Sequence, residues 1–312
     1  MRRTEATCFA VLGLLTTLPS CDDCSGSHPE TLDATPTASS SAEPAETVPA
    51  PPVSVTEPAR RCPEDMVLVK QHLCVDRYEA QLVDAATGQL LSPYYPVRKD
   101  YSWFLKAIHD RSKQHFDSGG TGLGRTMPFP PFPTWQKNGE LEPVAQSREG
   151  VEPNGYVNMH VAKSACERAG KRLCTLEEWR TACRGKAGRK FPYGDTYEAG
   201  KCNVFREDSP GRILFDNASL GMLDPRMNLV EAKGKPLYRK TGATPSCRSE
   251  WDEPIYDMVG NLDEWVDDPK GTFVGGFYSR STKEGCNTIV TAHVPGYQDY
   301  SIGVRCCRDT ME

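Results

Sequence analysis

Thirteen cysteines in 312 residues constrain this chain more than any other feature of it. A reducing cytosol keeps thiols unpaired unless they bind metal, so this number predicts an exported, disulfide-bearing protein. Cys8, Cys21 and Cys24 lie near the start, and the other ten fall between Cys62 and Cys307, an even set able to close five bridges. With 38% hydrophobic residues and 26 glycines the apolar content is ordinary, so one sizeable core can form. The net charge of −5 and the lack of a concentrated basic tract argue against a dedicated nucleic-acid binder, which needs Lys and Arg to neutralise phosphates.

The beginning of the chain fits export. Arg2 and Arg3 precede the apolar run Cys8 to Leu18, which is too short to cross a hydrocarbon core as a helix and reads as a signal peptide over residues 1–21. Leu18-Pro19-Ser20-Cys21 resembles the bacterial lipoprotein box, which makes Cys21 the expected lipidation site although Pro19 departs from the pattern. Cys21-Asp22-Asp23-Cys24 is also a C-x-x-C, but its place beside the processing site argues against redox or metal chemistry. Residues 22–60 are rich in Pro, Ser, Thr, Ala and Glu, with too few large apolar side chains to offset the entropy of ordering, and are expected to form a disordered tether.

A single folded domain is expected over residues 61–312. Met66–Val69 and Leu73–Val75 flank Lys70-Gln71-His72 in a hairpin-like pattern that Cys62 and Cys74, close in sequence, can staple. The Gly- and Pro-rich stretch 112–152 cannot hold long regular structure. Its Gly119-Gly120-Thr121-Gly122-Leu123-Gly124 lacks the preceding strand and following Lys of a phosphate loop, so no nucleotide site is expected. Val161, Ala165, Cys166 and Ala169 recur at helical spacing, predicting a helix over 159–169 stopped by Gly170. Thr175-Leu176-Glu177-Glu178 is a capping box that starts a second helix carrying Trp179 and Cys183 on one face. The C-terminal third carries short β-prone runs at 272–274, 288–290 and 302–304, and the sum is an irregular, loop-rich α+β domain.

Five landmarks in order then carry a family resemblance. Gly170-Lys171-Arg172-Leu173-Cys174-Thr175-Leu176-Glu177-Glu178-Trp179 resembles the G-K-R-L-P-T-x-x-E-W signature of the formylglycine-generating enzyme, or sulfatase-modifying factor, family. Phe191-Pro192-Tyr193-Gly194 is similar to its Y-P-W-G, Cys202-Asn203-Val204 to its C-N step, and Tyr256 through Trp265 to its Y-D-M-x-G-N-V-W-E-W. Gly275-Gly276 and Ile302-Gly303-Val304-Arg305-Cys306 follow as its G-G-S and G-F-R-C. The resemblance implies a compact, disulfide-stapled fold related to C-type lectins, with Cys166 bridged to Cys306 and Cys183 to Cys286. By elimination Cys202 would then pair with Cys247 and Cys174 with Cys307.

The resemblance also implies a structural calcium ion, held by the side chains of Asp257 and Glu264 and the carbonyls of Gly260 and Leu262; oxygen ligands at such a turn suit a hard cation. A second calcium position would begin at Asn203 and Val204, but no convincing downstream carboxylate accompanies it. The family's oxidation of a substrate cysteine uses two cysteine thiolates on copper(I), a soft ligand set. Aligned on Gly275-Gly276, those thiolates fall on Arg280 and Gly285, while Phe277 and Asp263 replace the family's serine and tryptophan. Neither copper nor iron is therefore expected. No iron-binding His-x-x-x-His-x-Glu helix is present, and His109 and His115, six apart, are expected on different sides of a helix or in a solvated loop.

These readings leave two classes of function. The first is a non-catalytic binding or scaffold module on a bacterial cell envelope, periplasmic or at the cell surface, presenting Tyr278, Arg280, His293 and Tyr297 to a protein or glycan. The alternative is an oxygen-dependent oxidoreductase acting on a protein cysteine or small thiol. His293 could meet a ligand there, but a buried, hydrogen-bonded imidazole is the favoured reading. No nucleic-acid partner is expected, and the membrane is met only through the lipid.

Overall fold

The computed structural model describes residues 61–137, 139–204, 206–280 and 283–311. The expected signal peptide, Cys21 and the expected tether lie outside the described residues. Strands β1 (Met66–Val69) and β2 (Leu73–Asp76) form the expected hairpin, with Leu68 opposite Cys74. Then come β3 (Ala80–Asp84), helix α1 (Tyr101–Asp117), β4 (Pro143–Ser147), α2 (Met159–Arg168), β5 (Arg172–Leu173), α3 (Leu176–Arg184) and α4 (Pro210–Phe215). Two small hairpins follow, β6 (Glu231–Ala232) with β7 (Lys235–Pro236) and β8 (Arg248–Ser249) with β9 (Ile255–Tyr256). The chain ends with β10 (Asp263–Val266), β11 (Thr272–Val274), β12 (Ile289–Val290), β13 (Ile302–Gly303) and β14 (Cys306–Asp309). It is a loop-rich α+β domain. Among the described residues no helix is long and apolar enough to cross a membrane.

Two four-stranded sheets organise the chain, β1-β2-β14-β5 and β12-β11-β10-β13, while β3 pairs with β4. The first sheet brings the C-terminal strand against the N-terminal hairpin, with Cys307 opposite Val75. Side-chain oxygens supply the helix starts: Asn158 accepts from the Val161 N–H, and Thr175 with Glu178 closes the reciprocal box at α3. Trp179 on α3 and Trp265 on β10 are both fully buried, anchoring neighbouring parts of the core.

Disulfides join these layers: Cys62–Cys74, Cys166–Cys306, Cys174–Cys307, Cys183–Cys286 and Cys202–Cys247. Cys166–Cys306 and Cys174–Cys307 tie α2 and the start of α3 to adjacent residues of β14, across 140 and 133 positions. By the chain-entropy argument, closing loops of that length stabilises the fold by about 4–5 kcal/mol each.

The longest helix, α1, was not foreseen, and it corrects the expectation of a solvated loop at His109 and His115. Both lie on α1; His115 packs edge-on against Phe116 and Phe215, and His109 meets Phe129. The helix forms because Tyr101, Phe104, Ile108, Ser112 and Phe116 share its buried face and Asp100 caps its start.

Candidate functional site

The turn from Asp257 to Glu264 gathers charge in a dry interior. Asp257 and Asn261 take positive φ, 57° and 60°, which a short polar side chain tolerates better than a branched one. The turn thereby aims Glu264 inward on β10, where Arg305 Nε lies 2.9 and 3.0 Å from its two oxygens and Arg305 Nη2 2.8 Å from Oε1. Trp179 Nε1 donates to Glu264 Oε2 at 2.6 Å. Arg305 also donates to the carbonyls of Asp76 and Tyr256, so the fully buried guanidinium holds β2, β9 and β10 together.

Glu79, which sequence reading missed, joins this cluster. Its Oε2 accepts from Asn261 Nδ2 at 2.6 Å and its Oε1 from the Leu262 N–H at 3.0 Å. Burial, reinforced by the charges of Asp257 and Glu264, holds its carboxyl well above the usual range. Burial likewise pushes Asp257 up to about 6, opposed by the hydrogen bond from the Gly242 N–H and by Arg305. No local motif announces Glu79, because its hydrogen-bond partners lie 182 and 183 positions away.

These contacts test the expected calcium set. A carboxylate offers four lone-pair directions, and those of Glu264 are taken by Arg305 and Trp179. A cation at Glu264 would compete for these oxygens with a buried guanidinium and an indole N–H. Of the expected set Asp257, Gly260, Leu262 and Glu264, the structure commits the Glu264 carboxylate to protein partners. At the second position Asn203 Nδ2 donates to the Leu237 carbonyl and to Asn261 Oδ1, leaving its buried Oδ1 without a hydrogen-bond partner. Val204 is buried in the core beside it. Among the described residues no carboxylate is shown beside the Asn203 amide oxygen, in line with the lack of a downstream carboxylate in the sequence.

The place of the copper thiolates is built differently. Arg280 Nη2 donates at 2.6 Å to Oδ2 of Asp263, a side chain with no exposed surface, and the other Asp263 oxygen accepts from the Gly276 N–H at 2.9 Å. Burial pushes Asp263 up to about 6, opposed by Arg280. The guanidinium also lies 5.3 Å from the Phe277 ring centre, so Arg280 contacts the replacements at both 263 and 277. Gly285 has a φ of 57°, and a Cβ there would lie 2.4 Å from the Lys190 carbonyl oxygen. A cysteine cannot enter that position without a backbone shift. All ten cysteines from Cys62 onward are in disulfides.

Of the four expected surface residues, Tyr278 is misplaced. It is fully buried and its hydroxyl donates to Asn228 Oδ1 at 3.1 Å, because the tight Gly275-Gly276 turn sends its ring into the core beside Tyr300. Arg280, His293 and Tyr297 are half-buried. His293 stacks between Tyr297 and Phe273, with ring centres 3.8 and 5.6 Å away, and the Tyr297 hydroxyl donates to Asp299. The three residues therefore line one margin around β11 and the Asp263–Arg280 pair.

These elements make a disulfide-stapled α+β domain whose Gly-Gly turn faces an arginine–carboxylate pair. The family is shown by a family model described as the sulfatase-modifying factor enzyme 1-like domain, which matches residues 133–310, and the chain belongs to it. Among curated relatives, the inactive C-alpha-formylglycine-generating enzyme 2 of Bos taurus is 28% identical over 126 residues. That alignment covers 40% of this chain and 36% of the bovine protein. Among solved structures, PvdO from Pseudomonas aeruginosa is 16% identical, with 80% of this chain and 100% of that one covered and a TM-score of 0.34. The Major Tropism Determinant P3c variant is 14% identical, with 81% and 55% covered and a TM-score of 0.39.

Proposed function

We propose that this chain is a non-catalytic binding or scaffold module of the sulfatase-modifying factor family, exported and held at a bacterial cell envelope by lipid on Cys21. The observation that carries the reading is the pairing of Arg280 with buried Asp263 where the family's copper chemistry needs a thiolate. A guanidinium carries no lone pair for a soft metal and is never deprotonated in a protein. The disulfides take up all ten cysteines from Cys62 onward. The word inactive in the bovine relative's name agrees in sense, over the part aligned. Export is supported by the basic start, the short apolar run and the cysteine content. The partner in this reading is a protein or glycan that meets the margin formed by Arg280, His293 and Tyr297.

The test is made on protein produced in an oxidising compartment. Alkylation without reduction should label no cysteine of the domain, elemental analysis should find no stoichiometric copper or iron, and a cysteine peptide should survive incubation in air. A labelled pair of neighbouring cysteines together with copper and peptide turnover would establish the oxidoreductase alternative instead. For the anchor, Cys21→Ser should abolish incorporation of labelled palmitate and release the protein from the membrane fraction. Retention of both label and membrane association by that variant would remove the lipid from the reading.

A further inference from the structure

A cavity of about 780 Å³ lies between α1, the glycine loop after it, and the loop that follows α4. Its α1 wall precedes the segment that matches the family model. The volume is in the range of sites for small organic ligands. Ile108, Phe215, Leu220 and Met222 give it an apolar body. At its base, Asp224 is matched by Arg226, which donates to both carboxylate oxygens, to Ser112 Oγ and to the carbonyls of Gly124 and Met127. That pair is charge-neutral and fully hydrogen-bonded, so it shapes the floor without calling for a charged ligand.

Two groups remain uncommitted. The Arg111 side chain is exposed on α1 at the cavity wall and has no hydrogen bond or ion pair among the described residues. His115, one helical turn further on, has a buried Nε2 without a hydrogen-bond partner. Buried polar atoms are normally paired, and this one lies under Gly120 with no open surface, so a ligand reaches it only if the glycine loop shifts. The ring is held there by Phe116 and Phe215 and by Gly120, where a Cβ would lie only 2.3 Å from Nε2.

We propose that this cavity is a binding site for an amphipathic organic anion, its apolar body among Ile108, Phe215, Leu220 and Met222 and its anionic end toward Arg111. The assignment stands independently of the reading at Arg280.

Anilinonaphthalene sulfonate, an aromatic anion, and N-phenylnaphthylamine, its neutral analogue, are suitable probes, titrated by fluorescence against the folded protein. The expected result is saturable one-to-one binding of the sulfonate, about fivefold tighter than the neutral probe, as a partly exposed charge contact allows. Arg111→Ala, on an exposed side chain, should erase that preference while leaving neutral binding in place. Gly120→Ala, which drives a methyl group into the His115 ring, should weaken both probes. Absence of saturable binding, equal affinity for the two probes, or an anion preference that survives Arg111→Ala would each overturn the proposal.

Discussion

Arg280 Nη2 lies 2.6 Å from Oδ2 of Asp263, a half-buried cation set against a carboxylate with no exposed surface. Breaking a buried pair from one side strands the other charge. Arg280→Ala should therefore destabilise the domain by about 2–3 kcal/mol, below the range for fully buried pairs because the arginine is partly solvated. Adding Asp263→Asn to that variant should recover part of the loss. Chemical denaturation of the two single variants and the double reads this directly, and additive costs would mean that the two side chains do not support each other.

Gly285 gives a separate prediction about the missing thiolate. Its φ of 57° and the 2.4 Å approach of a Cβ to the Lys190 carbonyl make any side chain costly. Gly285→Cys should lower stability by about 2 kcal/mol or more, and the double variant with Arg280→Cys should not gain stoichiometric copper. Retention of wild-type melting by Gly285→Cys would show that the loop yields more easily than its backbone packing implies.

The parts of this molecule that local chemistry specifies were legible in sequence, and the parts made by distant partners were not. The β1–β2 hairpin, α2 and the Thr175 box follow from patterns within a few residues of one another. The disulfide pairs came from family resemblance, sequence proximity and elimination, and the five found in the structure are the same five. Helix α1 was readable too: its buried residues Tyr101, Phe104, Ile108, Ser112 and Phe116 recur every three or four positions, but the glycines and prolines that follow drew attention to turns instead. Glu79 could not have been found, because burial and three distant residues, Asp257, Asn261 and Glu264, give it its character. The Tyr278 misplacement has the same origin: whether a ring beside a Gly-Gly turn points outward or inward depends on Asn228 and Tyr300, neither nearby in sequence.

Glu264 bears on calcium. Because its oxygens are engaged by Arg305 and Trp179, Glu264→Gln should lower stability by about 3 kcal/mol through the stranded guanidinium, to the same extent with calcium or with a chelator. Wild-type melting should not respond to calcium, since a ligand raises stability only by binding the native state. A melting temperature that climbs with calcium and loses that response in Glu264→Gln would restore the ion to this turn.

Asp76 sets a pH dependence whose sign can be worked out. Its side chain has no exposed surface; Lys171 Nζ lies 2.6 Å from Oδ1 and the Cys306 N–H donates to Oδ2 at 3.0 Å. Burial outweighs both and pushes its pKa from 3.8 up to about 6. Between those values the folded state binds more protons than the unfolded chain, so this residue's contribution falls as pH rises through the window. It is fully present below about 4, absent above about 6, and on the order of 3 kcal/mol at most. Asp76→Asn keeps the shape and removes the titration. Its melting temperature relative to wild type should be higher at about pH 7.5 than at about pH 5, and parallel pH profiles for the two proteins would show that Lys171 holds Asp76 charged throughout.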